Sequence, residues 1–288
     1  MADDRLVLVT GAAGKTGLAV IRALSARGAR VRALIRHPDQ TQTVRQAGAT
    51  DILAGDLTDQ EILSKAMGRV SAVYLLLPNL HPNETEMGLR AIEAAKKNGL
   101  RSIVYHSVLF PQIQALPHHW QKLRVEEALI QSGLDFTILQ PASYMQNINP
   151  SWGTVKSTGN YRVPFSINAE FSLIDLKDVA AAACTCLLES GHEAAIYPLA
   201  GVERLSSIQM AEAMGKYLGS EVLASEQPLD EWRDKAVAAG LSLYALDTLS
   251  KMFTYYGGHG FVGSPQTLEW LIGRSAIRFS QYLETMST

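Results

Sequence analysis

Glycine recurs at every third position in Thr10-Gly11-Ala12-Ala13-Gly14-Lys15-Thr16-Gly17, directly after the apolar run Leu6 to Val9. Each of the three allows something a side chain would prevent. Gly11 can take backbone angles closed to other residues, Gly14 lets the main chain approach a bulky anion with no Cβ in the way, and Gly17 lets the next helix pack close to the strand. A helix over Lys15 to Arg27 would aim its free N–H groups and the positive end of its dipole at that anion. An ordinary turn would explain two of the three glycines. The strand before, the amphipathic helix after and a second strand over Arg30 to Arg36 supply the β-α-β context that a pyrophosphate-binding turn requires. The chemistry is that of holding a dinucleotide. Thr10 and Thr16 belong to the same turn, and Lys15 either adds to phosphate binding or faces water.

The second strand ends Val31-Arg32-Ala33-Leu34-Ile35-Arg36-His37, with no acid where an NAD enzyme would hold the ribose 2′-hydroxyl. A guanidinium at Arg36 fits a 2′-phosphate bidentately, whereas a carboxylate would repel it, so the expected cofactor is NADP(H). The alternative is that Arg36 is a solvated strand-end charge. Asp56 and Leu57, in Gly55-Asp56-Leu57-Thr58-Asp59 after the third strand, are placed to reach the adenine, although capping the next helix is an equally good reason for an acid there. Leu77 and Pro78 follow the fourth strand and would line the adenosine and nicotinamide-ribose side. Pro141 and Tyr144, past the sixth, complete the expected cofactor-binding set.

Catalysis turns on Tyr105-His106-Ser107 and Pro117-His118-His119-Trp120-Gln121-Lys122. An ordinary short-chain dehydrogenase carries Tyr-x-x-x-Lys, in which the lysine lowers the tyrosine pKa so that a proton can move beside the hydride. This chain has His118-x-x-x-Lys122, and the tyrosine is missing. Spacing of four places both side chains on one helical face. An imidazole titrates near neutrality and could replace the phenol as acid. Against this, Lys122 could serve only to hold nicotinamide ribose hydroxyls, and His118 could be a helix-start residue that moves no proton. Ser107, ending the fifth strand, is placed so that its hydroxyl could face the nicotinamide. Trp120, Tyr144, Met145 and Phe165 are the expected apolar and aromatic contacts of a small substrate.

These residues need a scaffold, and the alternation of elements provides one. After the first β-α-β unit come a strand over Asp51 to Ala54, a helix over Asp59 to Met67, a strand over Ala72 to Leu77, a helix over Glu84 to Asn98, a strand over Ser102 to His106, a helix over Gln121 to Ser132 and a strand over Phe136 to Leu139. The inner strands are continuous apolar runs, as expected when helices cover both faces. The fold class is therefore α/β: a doubly wound parallel sheet (Rossmann) with a smaller, mainly helical C-terminal substrate lobe. Residues 1–150 are expected to form the NADP(H)-binding domain and 151–288 the substrate-side lobe, with 172–200 returning to the first domain. Residues 142–172 lack periodicity and read as substrate-side loops. Asp175 reads as the cap of a helix reaching Glu189, followed by helices over Ser207 to Leu218 and Leu229 to Ala239. Tyr255 to Phe261 reads as a flexible aromatic rim or lid, or as surface packing.

Composition bounds the rest. At 288 residues, 47% hydrophobic and 19% charged, the chain can bury a full core. A net charge of −2 gives no reason to expect nucleic acid or an anionic membrane as partner. The acidic start Met1-Ala2-Asp3-Asp4-Arg5 is not a signal peptide, and no apolar run approaches the roughly 18 residues of a membrane span, so a soluble, cytoplasmic monomer or homodimer is expected. Cys184 and Cys186 lie two apart in an alanine-rich helical run and read as buried small residues.

Taken together, Thr10 to Gly17, Arg36, Gly55 to Asp59, Pro117 to Trp120 with Lys122, Ser132 to Pro141, Tyr144 to Asn147 and Asp175 to Ala180 resemble the NmrA-like branch of atypical short-chain dehydrogenase/reductases. The resemblance runs from about Arg5 to Tyr197 and thins out in the C-terminal third. It implies an NADP(H)-binding Rossmann domain and a smaller C-terminal lobe. It also implies one of two functions: a reductase of quinones, dyes or other small conjugated molecules, or a redox-sensing regulator that binds the dinucleotide without turnover. In related isoflavone reductase-like enzymes a lysine without the tyrosine supports catalysis, which corresponds to Lys122. A nucleotide-sugar epimerase or dehydratase shares the fold but normally needs the Tyr-x-x-x-Lys pair.

Overall fold

The computed structural model describes residues 5–287. Met1 to Asp4, on which the expectation about a signal peptide rests, lie outside the described residues. The chain begins β1 (Leu6–Val9), α1 (Lys15–Ala26), β2 (Arg30–Ile35), α2 (Thr41–Gln46) and β3 (Asp51–Ala54). It continues α3 (Gln60–Met67), β4 (Ala72–Leu75), α4 (Glu84–Lys97), β5 (Ser102–His106), α5 (Pro117–Ile130) and β6 (Asp135–Pro141). There follow α6 (Asn149–Thr158), β7 (Asn160–Val163), β8 (Phe171–Ser172), α7 (Leu176–Leu188), β9 (Ala195–Leu199) and β10 (Arg204–Leu205). The last elements are α8 (Ser207–Leu218), β11 (Leu223–Glu226), α9 (Leu229–Ala238), α10 (Leu243–His259), α11 (Gln266–Ile272) and α12 (Phe279–Leu283).

Seven strands form one sheet in the order β3-β2-β1-β4-β5-β6-β9. The pairings from β3 across to β6 are all parallel, with Val9 opposite Ala33 and Tyr74, and Leu75 opposite Tyr105. The order reverses between β1 and β4, and in such sheets ligands bind beyond the strands' carboxyl ends at that point. The turns after β1, β2, β3, β4 and β5 therefore line one edge. Val7, Leu8 and Val9 of β1 and all four residues of β4 are buried, as strands covered on both faces must be.

The described chain divides into two compact units. The first comprises residues up to Gln112, His119–Gln140 and Leu176–Tyr197 and carries the body of the large sheet. In it α1 buries Val20, Ile21 and Leu24 and packs against α7. The second comprises Ile113–His118, Pro141–Asp175 and the chain from Pro198 onward. It is mainly helical, with β11 parallel to β7 and β10 antiparallel to β8.

Local differences from expectation have physical causes. Residues 142–172 are not all loop: Asn149-Pro150 opens α6, where proline costs no hydrogen bond, and Gly159, at φ +65°, closes it. Tyr255 to His259 is the last turn and a half of α10 and not a mobile rim. Tyr256 is buried against Phe171 and Phe261, and a Cβ at Gly257 would stand only 3.4 Å from the Ser166 amide. Cys184 and Cys186 are free and buried in α7. No helix among the described residues is long and apolar enough to cross a membrane.

Candidate functional site

The glycine turn after β1 is built as its residue types require. Gly11 is in the left-handed region at φ +56°. A Cβ on Gly17 would lie 2.4 Å from the Gly11 carbonyl oxygen, so α1 packs there at a distance only glycine permits. Gly14 is the first residue before α1, and neither a capping side chain nor a first-turn acid occupies the helix start. A Cβ on Gly14 would meet only Gly11 O, at 3.4 Å, an ordinary van der Waals contact. A pyrophosphate fits such a place, since it needs amide donors and close main-chain approach. Thr16 is buried, and desolvation lowers the Lys15 pKa. Thr10 plays a scaffold part: its hydroxyl donates to Leu76 O and accepts from Leu76 N–H, both at 2.8 Å, tying the end of β1 to the end of β4.

Along the same edge, Arg36 stands exposed just past β2, with its Nε 3.7 Å from Asp56 Oδ2. Asp56 does not cap α3; Asp59 does, accepting from the Glu61 and Ile62 amides. Asp56 Oδ1 instead accepts from the Thr58 amide and hydroxyl at 2.8 and 2.7 Å, and these bonds, the amide first, hold its carboxyl below the usual range. The second oxygen is left toward Arg36. Leu57 is half-buried against the core, Leu77 is buried, and Pro78 is exposed.

Behind the ends of β4 and β5 lies a buried polar cluster. Lys122 Nζ is 2.7 Å from Glu84 Oε1 and donates to His106 O at 3.2 Å. The ammonium also lies 5.6 Å from the centre of the Tyr105 ring. Close helix packing creates the ion pair: a Cβ on Gly88 of α4 would be 2.5 Å from Val125 of α5, and Thr85 N–H donates to Gln121 Oε1. One turn after Lys122, Glu126 accepts from the Ser107 hydroxyl and from the Gln140 amide, whose nitrogen is 3.0 Å from both carboxylate oxygens. Tyr74 and His106 share a hydrogen bond, and His119 Nδ1 donates to Phe110 O at 3.0 Å. Burial first, and then the Glu84 and Glu126 charges, push the Tyr105 phenol well above its ordinary value. Leu80 and Phe110, in the loops after β4 and β5, hold φ near +53° and +54°, strained backbone of the kind that gathers at functional sites.

Lys122, Ser107 and the turn residues thus share the first unit, as does Trp120. Pro141, Tyr144, Met145 and Phe165 belong to the second, as does the buried His118 in the first turn of α5. There Met145 is 1% exposed and its amide donates to Ile174 O. Phe165 packs with Phe171 and Phe253. Glu84, Glu126 and Gln140 were given no site role from the sequence, and Tyr105 was named only within the Tyr105-His106-Ser107 stretch. Only Glu126 carried a signal, its spacing of four from Lys122; Glu84 arrives from another helix.

A profile of the NmrA-like family matches residues 3–287. The chain is 26% identical over 282 residues to the NAD(P)H azoreductase of Xenophilus azovorans, covering 96% of each chain. It is 30% identical over 237 residues, 81% of each chain, to the (4-alkanoyl-5-oxo-2,5-dihydrofuran-3-yl)methyl phosphate reductase of Streptomyces griseus. The NADPH-dependent quinone oxidoreductase of Escherichia coli, solved in complex with NADPH, shares the fold: TM-score 0.85, 24% identity, 96% of this chain and 98% of that one.

Proposed function

The chain belongs to the NmrA-like family, and from that premise we propose that it is an NADPH-dependent oxidoreductase that reduces a small conjugated or quinone-like molecule by hydride transfer. The observation that carries this reading is the uncapped start of α1 behind Gly11 and Gly14, with Arg36 on the same sheet edge. The α1 amides and Gly14 hold the pyrophosphate. Arg36 takes the 2′-phosphate, with Asp56 beside it steadying the guanidinium. When bound, the reduced nicotinamide supplies the hydride. Relatives named for azo, quinone and dihydrofuranone reduction support the substrate class.

Lys122 is held by Glu84, 2.7 Å from its Nζ. An ammonium has three donors; Glu84 and His106 O take two, which leaves one for a ribose hydroxyl. His118 and Ser107 are the candidates for passing the proton that must accompany the hydride. The test is NADPH oxidation against quinones, azo dyes, conjugated ketones and imines, beside titrations with NADPH and NADH. Consumption with at least one acceptor and tighter binding of NADPH are expected. Tight binding with no consumption above background would move the protein to the dinucleotide-sensing reading, and equal titration curves would remove Arg36 from the 2′-phosphate.

A further inference from the structure

Two carboxyl groups and one lysine are gathered behind β5, next to buried His106, whose carbonyl oxygen Lys122 reaches. Glu84 is 0% exposed, Lys122 4% and Glu126 3%, so all three stand in the interior. Lys122 is in contact with Glu84, and that pair is neutral. Glu126 touches no cation: its hydrogen bonds come from the Ser107 hydroxyl and the Gln140 amide, both neutral. From α5, Lys122 acts on it only through space; Glu84 on α4 and the un-ionised Tyr105 on β5 supply no positive charge. A buried carboxylate held by neutral donors alone is costly to keep charged. Exposed Glu231 shows the opposite case, where hydrogen bonds from Arg162 and then Lys235 pull its pKa to about 2. For Glu126, burial outweighs the Ser107 and Gln140 bonds and the pull of Lys122, and its carboxyl is pushed up.

We infer that Glu126 stores the proton of the reaction and delivers it through the Ser107 hydroxyl, an assignment that rests on the reductase reading above. Ser107 directly follows β5 on the ligand edge of the sheet, and its side chain already bonds to Glu126. As the substrate accepts a hydride from the reduced dinucleotide, its oxygen or nitrogen takes the proton of Ser107 Oγ–H. For this the bond between them runs in the reverse sense to the one in the resting structure: the un-ionised Glu126 carboxyl donates to Ser107 Oγ, which takes that proton as its own passes to the substrate, and Glu126 is left as a carboxylate. The substrate gains one hydride and one proton, the dinucleotide is oxidised by two electrons, and solvent re-protonates Glu126 once product has left.

Two readouts test this. Infrared difference spectroscopy on the cofactor-free chain, at a pH just above the ordinary carboxylate range, should show the carbonyl stretch of an un-ionised carboxylic acid that Glu126→Gln removes and Ser107→Ala retains. In turnover, kcat of the parent should fall as pH rises through an apparent pKa above the ordinary carboxylate range. Both variants should lose that limb and roughly 10²-fold in kcat, the low end for a group assisting proton transfer. Absence of the Glu126 band overturns the proton store, and a band present with parental pH profiles in both variants overturns delivery through Ser107. A parent that turns over no acceptor fails the reductase reading and delivery with it, while the band still reports the protonation of Glu126.

Discussion

Lys122 is the residue whose environment most constrains what it can do. Its side chain and that of Glu84 are 5% and 1% exposed, so removing either charge alone takes this ion-pair contact from a charge that stays in the interior. Lys122→Ala should therefore cost about 3–5 kcal/mol of folding stability, beyond any effect on turnover. Replacing both partners, Glu84→Leu with Lys122→Met, should recover most of that loss, because a buried ion pair and apolar residues of similar size differ little in net stability. Urea denaturation of the parent, the two singles and the double measures the coupling; additive losses would show that the pair is not coupled in solution. The stable double variant then separates catalysis from folding, since it should still lack turnover. The His118-x-x-x-Lys122 spacing placed Lys122 correctly on α5, but no sequence pattern announces Glu84, whose approach depends on the absent side chain of Gly88 on the neighbouring helix.

Among elements, the β1 turn and α1 were the most legible, because each glycine there answers a separate geometric demand. Gly14→Val tests the assignment. A Cβ at Gly14 meets only Gly11 O at 3.4 Å, so the variant should fold, whereas at Gly17 the same atom would collide with Gly11 O at 2.4 Å. Circular dichroism like that of the parent, together with loss of NADPH binding, is the expected result; parental binding would show the turn to be misassigned. Strands such as Asp51–Ala54 and Ser102–His106 were readable because apolar runs mark them, and the helix expected near Ser207 to Leu218 is there as α8. The region from Ala142 to Ser172 was not, since α6 buries only Trp152 and Val155, too few positions to raise a period. Its Asn-Pro start and glycine stop were present but isolated. The pairing of Glu126 with Gln140 was illegible for a related reason: the two meet through helix–strand packing, which leaves no mark on local spacing.

Across the whole molecule, buried thiols and phenols set a limit on alkaline stability. Burial pushes Cys184 and Cys186 from the ordinary 9.0 up to about 12, and Tyr161 from 10.0 to about 12, with Tyr256 raised further. The cysteines lie in the first unit and both tyrosines in the second, so each unit carries its own liability. In the folded chain these groups keep their protons up to the raised values, while in the unfolded chain they release them from about pH 9 upward. The unfolded state then binds fewer protons, and stability must fall as pH rises through that window, by about 1.4 kcal/mol per pH unit for each group. At pH 10 the two thiols together should cost roughly 3 kcal/mol relative to neutral pH. The double variant Cys184→Ala and Cys186→Ala should lose a comparable small amount of packing at every pH and yet decline less steeply above pH 9. Urea midpoints measured at pH 7 and at pH 10 on parent and variant decide the matter: a steeper fall in the parent is expected, and parallel falls would mean that the thiols ionise as freely in the folded chain as in the unfolded one.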